Sequence, residues 1–249
     1  MEIERTMLFL KRLYVARRLG FSFPGTAKFV VPTSIRLFGH STKLHAPRDD
    51  IALAEDIIDV WLDDDYGLRE ITRPINTVLD IGANVGVFSL WARKFFPHAL
   101  IHAYEPNPAV FRFLKANFDQ LTSTPIAHCE GVGDEDGRAS MVFLGSSRIA
   151  QTNSQPDGDV TITGIVRAIE RIGGRVDLMK LDCEGAEWSI FKNKDIFRNV
   201  EIIRMEYHLT NGRSLNDLYT AADAISFKVD RIDENQLFGI AWLSSKSAR

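Results

Sequence analysis

Thr77-Val-Leu-Asp80-Ile-Gly82-Ala-Asn84-Val-Gly86-Val-Phe88 opens with a β-rich run, closes it near an acid, turns through glycines and passes into an apolar stretch. Such a strand–turn–helix reads as the first unit of an α/β sheet. Gly82 permits a turn that a side chain would obstruct. Gly86 lets the next helix, expected from about Val85, lie close to the strand and to a ligand. Loop and helix N-terminus then offer backbone N–H donors and the positive end of a helix dipole.

The spacing is D-x-G-x-x-x-G. A dinucleotide fingerprint, G-x-G-x-x-G, wants glycine where Asn84 stands, because the backbone there must approach a pyrophosphate. S-adenosylmethionine has no pyrophosphate; it carries a carboxylate, an ammonium and a sulfonium. Asp80, Gly82, Asn84 and Gly86 are therefore candidates for binding this nucleotide, with Asp80 acting on its cationic side directly or through water.

Outward from this stretch the chain alternates between strand and helix. Short apolar strands are expected at 77–81, 100–104, 126–129, 176–181 and 200–207, mostly with helical stretches between them. That pattern implies a mostly parallel sheet covered by helices on both faces. Residues 226–231 and 237–243 read as a closing antiparallel hairpin. The second strand ends at Tyr104, and Glu105-Pro106-Asn107 follows. An acid about 20 residues beyond the glycine loop can hold ribose hydroxyls, so Glu105, Pro106 and Asn107 join the cofactor set. The third strand runs into Glu130-Gly131-Val132-Gly133-Asp134. Gly131 and Val132 can bound the adenine ring, and Glu130 or Asp134 can meet its amino group.

Val176-Asp-Leu-Met-Lys180-Leu-Asp182-Cys-Glu184-Gly-Ala-Glu187 adds a K-x-D-x-E-G-x-E pattern. This stretch, the glycine loop, Tyr104-Glu105-Pro106 and Met205-Glu206-Tyr207-His208 together resemble the FkbM-type methyltransferases, over roughly residues 45–210. The resemblance implies S-adenosylmethionine as methyl donor, S-adenosylhomocysteine as product, and an oxygen acceptor on a small molecule such as a natural product or sugar. It also implies a Rossmann-like class I fold, a seven-stranded sheet of order 3-2-1-4-5-7-6 with the seventh strand antiparallel.

Methyl transfer to an aliphatic hydroxyl needs in-line alignment and removal of the acceptor proton. Asp182 and Glu184 follow the fourth strand, at the sheet edge where α/β proteins bind ligands. They are candidate catalytic carboxylates or, together, oxygen ligands for a divalent cation. His208 ends the fifth strand and is the candidate general base, since its ordinary pKa suits neutral pH, with Glu206 or Asp182 orienting it. Lys180 is expected to lie buried in an ion pair with Asp80 or Glu206. The histidines show no short metal-binding spacing.

The first 50 residues carry no recognisable motif. Residues 6–19 read as a helix mixing apolar side chains with Lys11, Arg12, Arg17 and Arg18, stopped by Gly20. Strands are expected at Lys28–Val31 and Ser34–Phe38, making a hairpin. Residues 1–50 are thus an extension, a cap or a homodimer contact, ahead of a cofactor-binding domain at 51–249. Ile51 to Trp61 reads as a helix whose end, Asp63-Asp64-Asp65, is solvated. Arg138–Leu144 reads as an added strand, and 145–160 as a loop over the crevice.

In bulk the chain has 249 residues, 45% hydrophobic and 25% charged, with a net charge of −3. That charge gives no general drive toward nucleic acid, and the Pro-Pro-Tyr signature of exocyclic-amine methylation is missing. Cys129 and Cys183 read as buried thiols in a reducing compartment. With no membrane-length apolar run and an acidic start unlike a signal peptide, a cytoplasmic protein is expected. The competing readings are a nicotinamide-dependent dehydrogenase and a non-catalytic cofactor-binding module.

Overall fold

The computed structural model describes residues 2–143, 150–154, 157–183, 185–232 and 237–247. The elements in chain order are α1 (Glu2–Arg18), β1 (Ser34–Leu37), β2 (His40–Lys43), α2 (Ile51–Ile57), β3 (Thr77–Ile81), α3 (Val87–Phe95), β4 (Leu100–Tyr104), α4 (Pro108–Phe118), β5 (Ile126–His128), β6 (Gly131–Gly133), β7 (Gly137–Phe143), β8 (Ala150–Ser154), β9 (Val160–Gly164), α5 (Ile165–Arg171), β10 (Val176–Leu181), α6 (Glu187–Ile190), β11 (Val200–His208), α7 (Leu215–Ala224), β12 (Phe227–Ile232) and β13 (Phe238–Ser245).

Seven strands form the main sheet, in the order β5-β4-β3-β10-β11-β13-β12. Counted alone they run 3-2-1-4-5-7-6. The pairs among β5, β4, β3, β10 and β11 are parallel, whereas β13 runs antiparallel to both β11 and β12. Alternation along each strand sends side chains to two separate cores. Val78, Ile101, Leu178 and Ile202 face the N-terminal segment and α3. Leu79, Ile81, Met179, Leu181, Ile203 and Met205 face α5, α6 and α7. Burial on both sides is why these strands read as nearly continuous apolar runs.

Parity also decides where the polar strand residues go. Asp80 and Lys180 share the face of Val78 and Leu178, and both are buried. They therefore lie among the side chains of the N-terminal segment and α3, near the sheet's carboxyl edge.

Four expectations about the periphery change. Lys28–Val31 is not a strand; the hairpin is β1 with β2, with Leu37 paired to His40. The turn uses Phe38 (φ 50°) and Gly39 (φ 82°), the paired positive φ angles that match strand twist. The acidic run is not solvated: Asp63 pairs with Arg12, and buried Asp64 accepts from the Trp91 indole at 2.7 Å. The segment after residue 137 forms a second, four-stranded sheet of order β6-β9-β7-β8, so part of the expected crevice loop is strand. Residues 144–149 and 155–156 of that loop lie outside the described residues. Finally, Cys129 is exposed and Cys183 half-buried rather than both buried, and they form no disulfide; each lies just beyond the end of its strand.

Beyond α2 the helix continues through a widened π segment, Ile58–Asp63. Among the described residues no helix is long and apolar enough to cross a membrane.

Candidate active site

A cleft opens at the carboxyl ends of β3, β4 and β10, enclosing about 930 Å³ with open solvent at its mouth included. Its position follows from topology. The chain crosses to opposite sides of the sheet after β3 and β10, and adjacent loops diverge there.

Gly82 makes the tightest approach. Its φ is 75°, and a Cβ placed on it would collide with the Asp182 carbonyl oxygen. The loops after β3 and β10 therefore touch backbone to backbone, which only glycine allows. Asn84 follows at φ 50°, and its buried Oδ1 has no hydrogen-bond partner.

Glu105 joins two loops. Its Oε2 accepts from the Asn84 N–H at 2.9 Å, and its Oε1 accepts from the Asn107 N–H at 2.8 Å. Burial pushes its carboxyl up to about 7, although both backbone N–H groups pull the other way. Each carboxylate oxygen has a second lone pair that a ligand hydroxyl can use.

Lys180 ties the floor together. Its Nζ donates to the Gly82 carbonyl at 2.6 Å and pairs with Asp182 at 2.9 Å and Asp80 at 3.8 Å. Burial alone would lower its pKa; Asp182 and Asp80 outweigh it and hold the ammonium above its ordinary value. Asp80 is fully buried and accepts from the Ser89 hydroxyl at 2.5 Å. Burial raises its carboxyl despite those partners.

Seven expected cofactor residues line this one cleft: Gly82, Asn84, Glu105, Pro106, Gly131, Val132 and Asp182. Three do not. Asp80 sits behind the floor with Ser89 and Lys180. Gly86 serves helix packing, since a Cβ there would meet Leu114 of α4 at 2.9 Å. Asn107 caps α4, its Oδ1 accepting from the Ala109 N–H at 3.0 Å. Glu130 is also spent elsewhere, on the Thr163 hydroxyl and, at 2.6 Å, on Arg171. Asp134 Oδ1 accepts from the Glu135 N–H at 3.2 Å, so neither acid stands in the cleft wall.

His208 stands at the end of β11, outside the cleft lining. Its Nδ1 lies 3.1 Å from Glu187 Oε1, and Glu187 is completely buried. The second oxygen of Glu187 has no hydrogen-bond partner. Trp188 Nε1 donates to the His208 carbonyl at 2.9 Å, which holds the histidine backbone against α6. The expected partners for His208 were Glu206 and Asp182; Glu187 is the acid that meets Nδ1. Glu184 lies outside the described residues. Among the described residues no group of three acids, histidines or cysteines is placed to hold a metal.

The sequence reading missed the wall contributed from upstream. Asp56 and Val60, on α2 and its π-helical continuation, line the cleft together with Tyr66. Tyr66 is positioned through its carbonyl, which accepts from Arg204 Nε at 2.9 Å, and through neighbouring Asp65, whose carbonyl accepts from Trp242 Nε1 at 2.7 Å. Arg204 in turn lies over the Trp242 ring at 4.7 Å. Asp56, Glu105 and Asp182 give the cleft three acidic side chains, and Lys180 is the basic one among the lining residues.

The family model for the methyltransferase FkbM domain matches residues 80–227. The methyltransferase sdnD of Sordaria araneosa is 27% identical over 168 residues, covering 50% of this chain and 64% of that protein. The 31-O-demethyl-FK506 methyltransferase FkbM of Streptomyces tacrolimicus is 39% identical over 72 residues, 28% of this chain and 27% of that protein. The chain thus spans less than two thirds of either relative. Among solved structures, magnesium protoporphyrin IX methyltransferase of Synechocystis, with bound SAM, aligns with a TM-score of 0.45 at 12% identity over 77% of each chain. The family match starts at Asp80 and runs to Phe227, more than half of the chain and most of the cleft, and the protein belongs to the FkbM methyltransferase domain family.

Proposed function

We propose that the protein is an S-adenosylmethionine-dependent methyltransferase that methylates a hydroxyl oxygen of a small molecule, a natural product or a sugar. One observation carries the reading: Glu105, the Gly82–Asn84 loop and Asp182 converge on a single cleft at the carboxyl edge of the sheet. When bound, the nucleotide supplies an electrophilic methyl group on its sulfonium. Glu105 accepts from the ribose hydroxyls. Gly131 and Val132 flank the adenine. Asp56 and Asp182 present negative charge to the ammonium and sulfonium, and unpartnered Asn84 Oδ1 offers a further acceptor. A pyrophosphate would meet these same acids unfavourably, which supports the sulfur nucleotide over a nicotinamide one.

His208 takes the acceptor proton. Glu187 accepts from its Nδ1–H, fixing the tautomer in which Nε2 carries the basic lone pair and stabilising the imidazolium that forms. The name of the Streptomyces relative, a 31-O-demethyl compound methyltransferase, supports oxygen as the acceptor atom. The test is calorimetric titration with S-adenosylmethionine, S-adenosylhomocysteine and NADH, with and without magnesium, followed by mass spectrometry of hydroxylated acceptors incubated with the donor. Saturable binding of the sulfur nucleotides alone, and a methyl added at oxygen, are expected. Binding of NADH alone would replace the reading with a dehydrogenase.

A further inference from the structure

Helix α1 is anchored at one end only. Arg12 pairs with Asp63 at 2.5 Å and Ala16 is fully buried, whereas residues 2–10 are all exposed. Leu8, Phe9 and Leu13 are 37–40% exposed on the helix's other faces, Phe9 against Phe23, and the four most exposed apolar side chains share one face. Ile3, Met7, Leu10 and Tyr14 are 80%, 63%, 52% and 62% exposed. Their spacing of four, three and four residues puts them on one stripe of the helix. On a helical wheel this stripe points away from buried Ala16. Such a 3-4 repeat is the seam that packs knobs into holes against a second helix, and a contiguous exposed apolar stripe marks an interaction surface.

The charges on the same helix state which way a partner would lie. Glu2 and Glu4 occupy the first turn, and Arg17 and Arg18 the last. Two copies of α1 laid antiparallel put Ile3 against Tyr14 and Met7 against Leu10. The same arrangement brings each acidic end toward the other copy's basic end and opposes the two helix dipoles favourably. A two-fold axis makes the surface self-complementary, as an isologous interface requires. An anionic bilayer would attract Arg5, Arg17 and Arg18 but repel Glu2 and Glu4, whereas the antiparallel helix pair gives the charges at both ends an opposite partner.

We infer that the Ile3–Met7–Leu10–Tyr14 stripe of α1 is a self-association surface that joins two copies of this chain through an antiparallel helix pair. A contact between single helices is small beside a standard interface of about 1,600 Å², so the dimer is concentration-dependent.

Analytical ultracentrifugation of the full chain tests this. The wild type should shift from one chain to two as concentration rises, and Met7→Glu should remain at one chain while keeping its far-ultraviolet circular dichroism and melting temperature. Two charge variants provide the second measurement. Glu2→Arg with Glu4→Arg, and separately Arg17→Glu with Arg18→Glu, should each weaken self-association. An equimolar mixture of the two should form a heterodimer tighter than either alone. A wild type that stays monomeric throughout, a dimer indifferent to Met7→Glu, or a mixture no tighter than its components would each overturn the inference. A monomer that floats with phosphatidylserine vesicles would assign the stripe to lipid instead.

Discussion

The Glu105 side chain and the Asn84 backbone are locked together, Oε2 accepting the Asn84 N–H at 2.9 Å, so one buried acid both shapes the glycine loop and faces the cleft. Its pKa of about 7 has two consequences. For the free protein, the folded value lies above the ordinary value, so the contribution to stability is full below about pH 4.5 and is lost as pH rises through 7. For binding, ribose hydroxyls donate to the ionised form. Affinity for S-adenosylhomocysteine should therefore weaken by up to about tenfold per unit as pH falls below 7. Calorimetry at several pH values in buffers of different ionisation heat checks this through the proton released. Glu105→Ala should weaken binding and remove that proton.

Gly82→Ala forces a Cβ into the Asp182 carbonyl oxygen at a positive φ. The expected loss is more than about 3 kcal/mol. Gly173→Ala is the control: its φ is 102° but nothing stands within 4 Å of an added Cβ, so backbone strain alone should cost about 1–2 kcal/mol. Urea unfolding of both variants separates collision from strain.

Lys180→Met leaves Asp80 and Asp182 without their buried counter-charge. A loss of about 3–5 kcal/mol is expected. Adding Asp80→Asn to Lys180→Met should recover part of it, because Asp80 is the fully buried carboxylate of the pair. Denaturation midpoints of the single and double variants give the coupling.

His208→Ala should leave affinity for S-adenosylmethionine within about twofold and lower turnover by about 10²–10⁴-fold. Glu187→Gln should retain the contact to Nδ1 but lose the charge, giving an intermediate loss of turnover and a pH–rate profile displaced to lower pH. Unchanged turnover in His208→Ala would remove the histidine from the proposed chemistry.

The parts of this molecule legible in the sequence are those with a local signature. The β3–Gly82–α3 unit, the acid after β4 and the closing hairpin β12–β13 each depend on residues adjacent in the chain. What escaped reading depends on partners far away. Asp56 sits on the polar side of an ordinary helical pattern, and nothing local signals that a π turn carries the segment to the cleft. Glu187 was visible as a motif letter, but its contact with His208 joins residues on α6 and β11. Gly86 and Asn107 read as ligand contacts because their types suit that role; packing against α4 and capping of α4 use the same properties. The Phe38–Gly39 turn was missed because Phe38 reads as a strand residue and reaches positive φ only through the hairpin it closes.

The Tyr66 side of the cleft leans on Trp242, whose indole holds the Asp65 carbonyl. During synthesis the glycine loop, Glu105 and Lys180 all leave the ribosome well before β13. A nascent chain therefore passes through a stage with the floor of the cleft laid down and one wall still unsupported, and the pocket reaches its final shape only when the last strand of the sheet has emerged and zipped between β11 and β12.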